Sequence, residues 1–161
     1  MKNKQIGISD FLVTSEDSLL RTSGLGSCVG LIVYDTEKKI GGMSHIMLPE
    51  SPPNKEKIDV KKYCDTNIPL FYELFIKAGA AKSRLKAAIF GGAEMFPYRN
   101  NPLMNIGRRN IETTLSMMDE LNIPVLIKET GGSKGRTIEF NTLTGEIKLK
   151  TAYQEDAYFQ L

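Results

Sequence analysis

Cysteine and histidine are scarce in this chain: its 161 residues include two cysteines, Cys28 and Cys64, and one histidine, His45. The cysteines lie in dissimilar contexts without C-x-x-C spacing, so neither a zinc site nor a disulfide framework is suggested. A lone histidine without clustered carboxylates supplies a metal site poorly, and no cofactor is expected. Charge of either sign is not in excess, since 21 Lys+Arg against 19 Asp+Glu leaves +2. That balance gives no nucleic-acid footprint, and the one basic run, Lys55 to Lys62, is interrupted by Glu56 and Asp59. No apolar run approaches membrane-spanning length, and Met1-Lys2-Asn3-Lys4-Gln5 lacks the apolar middle of a signal peptide. No membrane insertion and a reducing cytoplasm are therefore expected. There is no G-x-G-x-x-G opening a helix and no G-K-[ST], which removes the common nucleotide-binding loops. Internal repeats and low-complexity segments are also missing.

What is present is the composition of an ordinary globular domain, 41% hydrophobic and 25% charged. The length suits one domain over residues 1–161 with a core of its own, the tail from 152 onward carrying no clear signal. Ile6 to Thr14 reads as a first strand and Leu19 to Thr22 as a second. Val29 to Tyr34 and Ile40 to Leu48 read as an antiparallel hairpin about Asp35-Thr36-Glu37-Lys38-Lys39. Pro52 and Pro53 close that segment. Ile68, Phe71, Leu74, Phe75 and Ala78 recur at helical spacing, with Gly79 as the stop; Pro69 fits the first turn if Asp65 is the N-cap and otherwise kinks the helix. Leu85 to Phe90 is a strand, Pro97 to Met104 a loop. A second helix capped by Asn105 presents Ile111, Leu115, Met118 and Leu121 on one face. Val125 to Lys128, Thr137 to Phe140 and Glu146 to Thr151 complete about eight strands. The expected class is α/β in the α+β sense: one layered domain, its sheets mostly antiparallel or mixed, with two main helices. Glycine pairs are expected at strand ends: Gly24/Gly26, Gly41/Gly42, Gly91/Gly92 and Gly131/Gly132.

Chemistry concentrates in Thr22-Ser23-Gly24-Leu25-Gly26-Ser27-Cys28-Val29-Gly30. A thiol between a glycine-rich turn and a buried strand sits on a rigid base, and glycine lets backbone N–H groups face a ligand. Gly24, Gly26 and Ser27 are thus candidates for an oxyanion-holding loop beside a Cys28 nucleophile. The same stretch also fits a buried cysteine acting as a small hydrophobe. Pairing the hairpin about Glu37 sets Val29 opposite His45 and Cys28 next to it. An imidazolium there lowers the thiol's pKa and raises its thiolate fraction. His45 alone fits equally a half-buried strand histidine bonded to backbone.

Six stretches, taken together and in order, resemble the CheD family of chemotaxis proteins, the receptor glutamine deamidases. They are Gly24-Leu25-Gly26-Ser27-Cys28-Val29, Ser44-His45-Ile46-Met47-Leu48-Pro49, Tyr63-Cys64-Asp65-Thr66, Phe90-Gly91-Gly92-Ala93-Glu94-Met95-Phe96, Asn105-Ile106-Gly107-Arg108-Arg109-Asn110, and Thr130-Gly131-Gly132 followed by Arg136. The resemblance implies Cys28 as nucleophile, His45 as base and Thr22 as third member of a triad. The third member being uncharged, it also implies a modest catalyst with a shallow cleft for a receptor helix. Two positions depart from the family's pattern. Cys64 stands where alanine is usual, which argues against a catalytic role for it, and Glu129 stands where aspartate often precedes Thr-Gly-Gly. The implied partners are methyl-accepting chemotaxis receptors and the phosphatase CheC, which the family binds and activates. Two other readings stay open: a binding module for CheC without turnover, and a redox-sensing thiol for which Cys64 would have to resolve Cys28.

Overall fold

The molecule is layered around one strand, β4 (Val29–Asp35), in which all seven residues are buried. Its unbroken apolar run from Val29 to Tyr34 is what burial on both faces demands. A computed structural model describes residues 1–54, 56–95 and 105–161. The expected Pro97 to Met104 loop, with Phe96 and Lys55 of the stretches above, lies outside the described residues.

β4 is the middle of a five-stranded sheet ordered β2 (Asp10–Thr14), β5 (Ile40–Ile46), β4, β6 (Leu85–Gly91) and β7 (Val125–Thr130). Only β6 and β7 pair parallel in it. The second sheet runs β1 (Lys2–Gln5), β3 (Ser18–Leu25), β8 (Arg136–Asn141), β9 (Glu146–Thr151) and β10 (Ala157–Gln160), parallel only between β1 and β3. One apolar layer fills the space between the sheets, with Leu20, Ile32, Tyr34, Met43, Phe90 and Phe140. A second lies under the helices, where Leu31, Val33 and Ile46 meet Ile68, Phe71 and Phe75 of α1 (Cys64–Lys77) and Met118 of α2 (Ile106–Glu120). Each fully buried side chain of this size contributes roughly 1.5–3 kcal/mol. The result is an α+β arrangement of mixed sheets and two main helices, as the sequence predicts.

Ten strands are found among the described residues where about eight are expected. Ile6 to Thr14 is not one strand. Residues 2–5 join one sheet and 10–14 the other, and the crossing between them passes through Ser9 at φ 60. The tail, silent in the sequence, supplies β10, and Leu161 is buried in the inter-sheet layer. Gly41 and Gly42 mark no corner. They lie inside β5, where a Cβ on Gly41 would strike Phe140 and one on Gly42 would strike Phe75 and Phe71. Asp65 does not cap α1. The N-cap position is Tyr63, and the Asp65 carboxylate instead accepts from the Ser51 N–H at 3.0 Å and the Ser51 hydroxyl at 2.9 Å. Gly79, at φ 96, ends the helix as predicted.

The α2 face differs from its predicted position. Gly107, Asn110, Thr114 and Met118 are the buried positions, while Ile111 and Leu115 are half-buried. A Cβ on Gly107 would collide with the carbonyl oxygens of Ala93 and Gly92, so only glycine lets the helix come this close. Small and polar residues therefore share the contact with Met118, and Ile111 and Leu115 sit at its rim.

The β4–β5 hairpin corrects the predicted register by one residue. Asp35 pairs with Ile40, Gly30 with His45 and Val29 with Ile46. The loop has four residues, not five, because Asp35 is still on the ladder while its carboxylate accepts the N–H groups of Glu37 and Lys38 at 3.1 Å each. That carboxylate is fully buried. It also accepts from the Ala81 N–H and, at 3.0 Å each, from Nε and Nη2 of Arg84. Desolvation opposes its charge, but the Arg84 guanidinium and the backbone N–H groups hold its pKa down at about 2.

Candidate active site

Register decides which side chains share a face. With Gly30 opposite His45, residues 28, 30, 32 and 34 point the same way as His45, and Cys28 becomes its diagonal neighbour. Cys28 indeed packs in the inter-sheet layer with Ile32, Tyr34 and Met43. The predicted register would have put the thiol and the imidazole on opposite faces of the sheet. Thr22 reaches the same layer from β3 of the facing sheet, where it is fully buried.

His45 is fully buried, not half-buried, and its Nδ1 lies 2.7 Å from Thr22 Oγ1. The direction of this hydrogen bond follows from its neighbour. The Thr22 hydroxyl has one proton, and donates it to the Ile6 carbonyl at 2.8 Å. A carbonyl can only accept, so toward His45 the hydroxyl oxygen is an acceptor and Nδ1 carries the proton. The neutral ring then has its lone pair on Nε2, a buried atom with no hydrogen-bond partner among the described residues. Burial lowers the His45 pKa to about 4, so this neutral form is the one present at pH 7.

Cys28 is 9% exposed. Burial pushes its thiol pKa up, opposed in part by its own backbone N–H. The resting pair is therefore a thiol and a neutral imidazole, in place of the thiolate and imidazolium expected from the sequence. No hydrogen bond yet joins Cys28 to Nε2. The loop is pinned from above. Gly92 N–H donates to the Cys28 carbonyl and Ala93 N–H to the Gly26 carbonyl, both at 2.8 Å. Gly91 turns the chain there at φ 97, against the Cys28 carbonyl oxygen. Within the predicted oxyanion loop, Gly24 accepts from the Gly26 N–H at 3.0 Å, which engages that donor. Among the described residues no backbone carbonyl accepts from the N–H of Ser27 or of Cys28. A cavity of about 180 Å³ opens against Ser27, Ala93, Met95 and Gly107. Glu129 and Arg136 line a different one, of about 310 Å³.

The sequence assigned no role to Asn110. It is fully buried on α2, and its Nδ2 donates to the carbonyls of Ser27 at 2.8 Å and Met47 at 3.0 Å. The signal available for it was the 107, 110, 114, 118 spacing, which defines a helix face more consistent than the apolar one. The Ile6 carbonyl had no side-chain signal at all.

Cys64 lies in the helix-side layer, while Cys28 lies in the inter-sheet layer, and both are free thiols. Cys64 is fully buried beside Thr114, and burial carries its pKa up to about 12. Iodoacetamide at neutral pH is expected to label Cys28 at least tenfold faster than Cys64, though more slowly than an exposed cysteine. Peptide mapping over time checks both parts, and equal rates would remove Cys28's distinction.

Fold and site together define a two-sheet α+β protein in which a histidine bonded to a threonine hydroxyl and a buried thiol lie on one face of the same sheet-to-sheet layer. A family model described as CheD chemotactic sensory transduction matches residues 47–151. Similarity to individual proteins extends further. The chain is 43% identical over 152 residues to the chemoreceptor glutamine deamidase CheD of Halalkalibacterium halodurans, covering 93% of this chain and 94% of that one. It is 41% identical over 152 residues to the protein of the same name from Bacillus subtilis, covering 93% and 92%. The chain belongs to the CheD family. No helix among the described residues is long and apolar enough to cross a membrane.

Proposed function

We propose that this chain is a chemoreceptor glutamine deamidase, acting in the cytoplasm on methyl-accepting chemotaxis receptors through Cys28, His45 and Thr22. The observation that carries the reading is the tautomer: Thr22 fixes the proton on Nδ1 of His45 and leaves a buried Nε2 lone pair on the face that bears Cys28. The names borne by the relatives support the same activity.

Nε2 takes the Cys28 proton as sulfur attacks the carboxamide carbon of a glutamine side chain. The C–S bond forms as the C=O electrons move to oxygen, and the N–H groups of Ser27 and Cys28 are the available donors to that oxyanion. The imidazolium then returns its proton to nitrogen as the C–N bond breaks, releasing ammonia and leaving a thioester. Water, deprotonated by Nε2, opens the thioester to glutamate and restores the thiol. The sum is carboxamide plus water to carboxylate plus ammonium. Thr22 orients the ring and accepts from Nδ1 throughout. Its dipole stabilises the imidazolium less than a carboxylate would.

The test is incubation with cytoplasmic fragments of the organism's own receptors, read by mass spectrometry for glutamine-to-glutamate conversion. Wild type should convert specific glutamines and Cys28→Ala none. Absence of conversion, with CheC still bound, would instead support the binding-module reading. Thr22→Val keeps the shape and frees the ring from its acceptor. Its kcat is expected to fall about 10–100-fold with KM little changed, which steady-state kinetics on a receptor peptide would measure. A loss as complete as that of Cys28→Ala would mean that the hydroxyl does more than orient.

A further inference from the structure

The Asn110 side chain is an unusual investment of polar atoms in a buried helix face. Both protons of its NH2 group are engaged, one on the Ser27 carbonyl and one on the Met47 carbonyl. Its Oδ1 is buried without a partner among the described residues. The opposite amide orientation would turn that oxygen toward two carbonyl oxygens, so the surroundings fix which end is nitrogen. The two carbonyls belong to the segments that carry the reacting groups. Ser27 immediately precedes Cys28, and Met47 follows His45 by two residues. Asn110 thus spans the gap between the thiol loop and the imidazole strand.

The bond to Ser27 has a further effect. In a planar trans peptide the C=O of residue 27 and the N–H of residue 28 point in opposite directions. Holding the Ser27 carbonyl toward α2 therefore turns the Cys28 N–H away from it. That N–H has no backbone carbonyl to bond among the described residues. A donor beside the attacking sulfur is where the oxygen of a tetrahedral adduct comes to lie. Without the clamp, the Ser27 carbonyl loses the side-chain donor that sets the orientation of this peptide. Gly107, three residues earlier on the same helix face, lets α2 approach the Gly92-Ala93 backbone closely enough for the clamp to reach.

We propose that Asn110 is a positioning residue of the reaction: it sets the Ser27–Cys28 peptide so that the Cys28 N–H meets the developing oxyanion, and it fixes the spacing of Cys28 from His45. The role rests on the deamidase reading above.

Asn110→Asp keeps the shape and removes both donors, and Asn110→Ser replaces the clamp by a small cavity without a charge. Each variant is compared with wild type by kcat and KM on a receptor peptide, by the rate of Cys28 alkylation with iodoacetamide, and by thermal unfolding. Alkylation needs the thiol but no oxyanion donor, so it separates a misplaced thiol from a misplaced N–H. The expected result is a kcat lower by about 10²–10³-fold with KM within threefold, alkylation within a few-fold of wild type, and a cooperative melt in at least Asn110→Ser. Retention of kcat in a folded variant would overturn the role, as would a fall in alkylation equal to the fall in kcat. So would collapse of both variants to unfolded chains, which would make Asn110 a determinant of folding. Lack of turnover by wild type itself would instead overturn the deamidase reading on which the role depends.

Discussion

His45→Gln is expected to lose about 10²–10⁴-fold in deamidation rate while gaining resistance to acid. The rate falls because a carboxamide cannot take the Cys28 proton, and general-base catalysis of this kind contributes 10²–10⁴-fold. The change in acid resistance follows from burial. His45 titrates at about 4 in the folded chain against an ordinary 6.5. Because the folded value is the lower one, the unfolded chain binds the proton first as pH falls. The stabilisation is complete above pH 6.5, declines between 6.5 and 4, and is gone below 4. It amounts to about 3 kcal/mol. Filling a fully buried site with a different shape costs the variant about 1–2 kcal/mol at pH 7. Denaturant midpoints of the two proteins should therefore converge or cross as pH is lowered toward 4. Parallel curves over that range would mean that the imidazole is not held neutral, and full activity in the variant would remove His45 from the mechanism.

Asp35→Asn is expected to do the reverse, lowering stability by about 3 kcal/mol while leaving kcat of the folded protein close to wild type. The carboxylate collects five hydrogen bonds, from the N–H groups of Glu37, Lys38 and Ala81 and from two nitrogens of Arg84. An amide turns donors against some of these donors, and removing one member of a buried charged cluster is costly. The hairpin register survives, because slipping it by one residue would turn every side chain of β4 and β5 to the wrong layer. With a folded pKa of about 2 against 3.8, the Asp35 contribution is present above 3.8 and is lost as pH falls toward 2. Wild type should thus lose stability in two steps, first through His45 and then through Asp35. Urea unfolding and initial rates at a permissive temperature measure both effects. A folded variant with a collapsed kcat would mean that this turn shapes the site directly.

The layers and the helices were legible because their signals lie in the run and spacing of apolar residues. Val29 to Tyr34 reads as a buried apolar strand, and Ile68, Phe71 and Phe75 read as a helix face. The thiol, the imidazole and the threonine were legible as residue types, and their placement was not. Whether Cys28 and His45 share a face turns on a four-residue against a five-residue loop, and that choice lies in where one carboxylate sends its oxygens. Strings of residues do not display that. The glycine pairs were ambiguous for a similar reason. Gly91 serves a turn and Gly41 serves the packing of Phe140, yet both look like punctuation in the sequence. Asn110 and the Ile6 carbonyl act through contacts 83 and 16 residues away in the chain, which no local pattern encodes.

The bond from Thr22 to the Ile6 carbonyl gives the His45 ring a polarity that originates outside the proposed site. Ile6 lies where the chain leaves β1 and crosses between the sheets, and its own N–H is held by the Arg21 carbonyl at 2.8 Å. Loosening that crossing would release the hydroxyl proton to swing toward the imidazole. The ring would then receive a hydrogen bond at Nδ1 where it now gives one, and its proton would move to Nε2. Every atom of the proposed triad would still be present, but Nε2 would face Cys28 with a proton in place of a lone pair. On the proposed mechanism, a change near the first strand would therefore silence the chemistry by reversing one hydrogen bond, with no displacement of Cys28, His45 or Thr22.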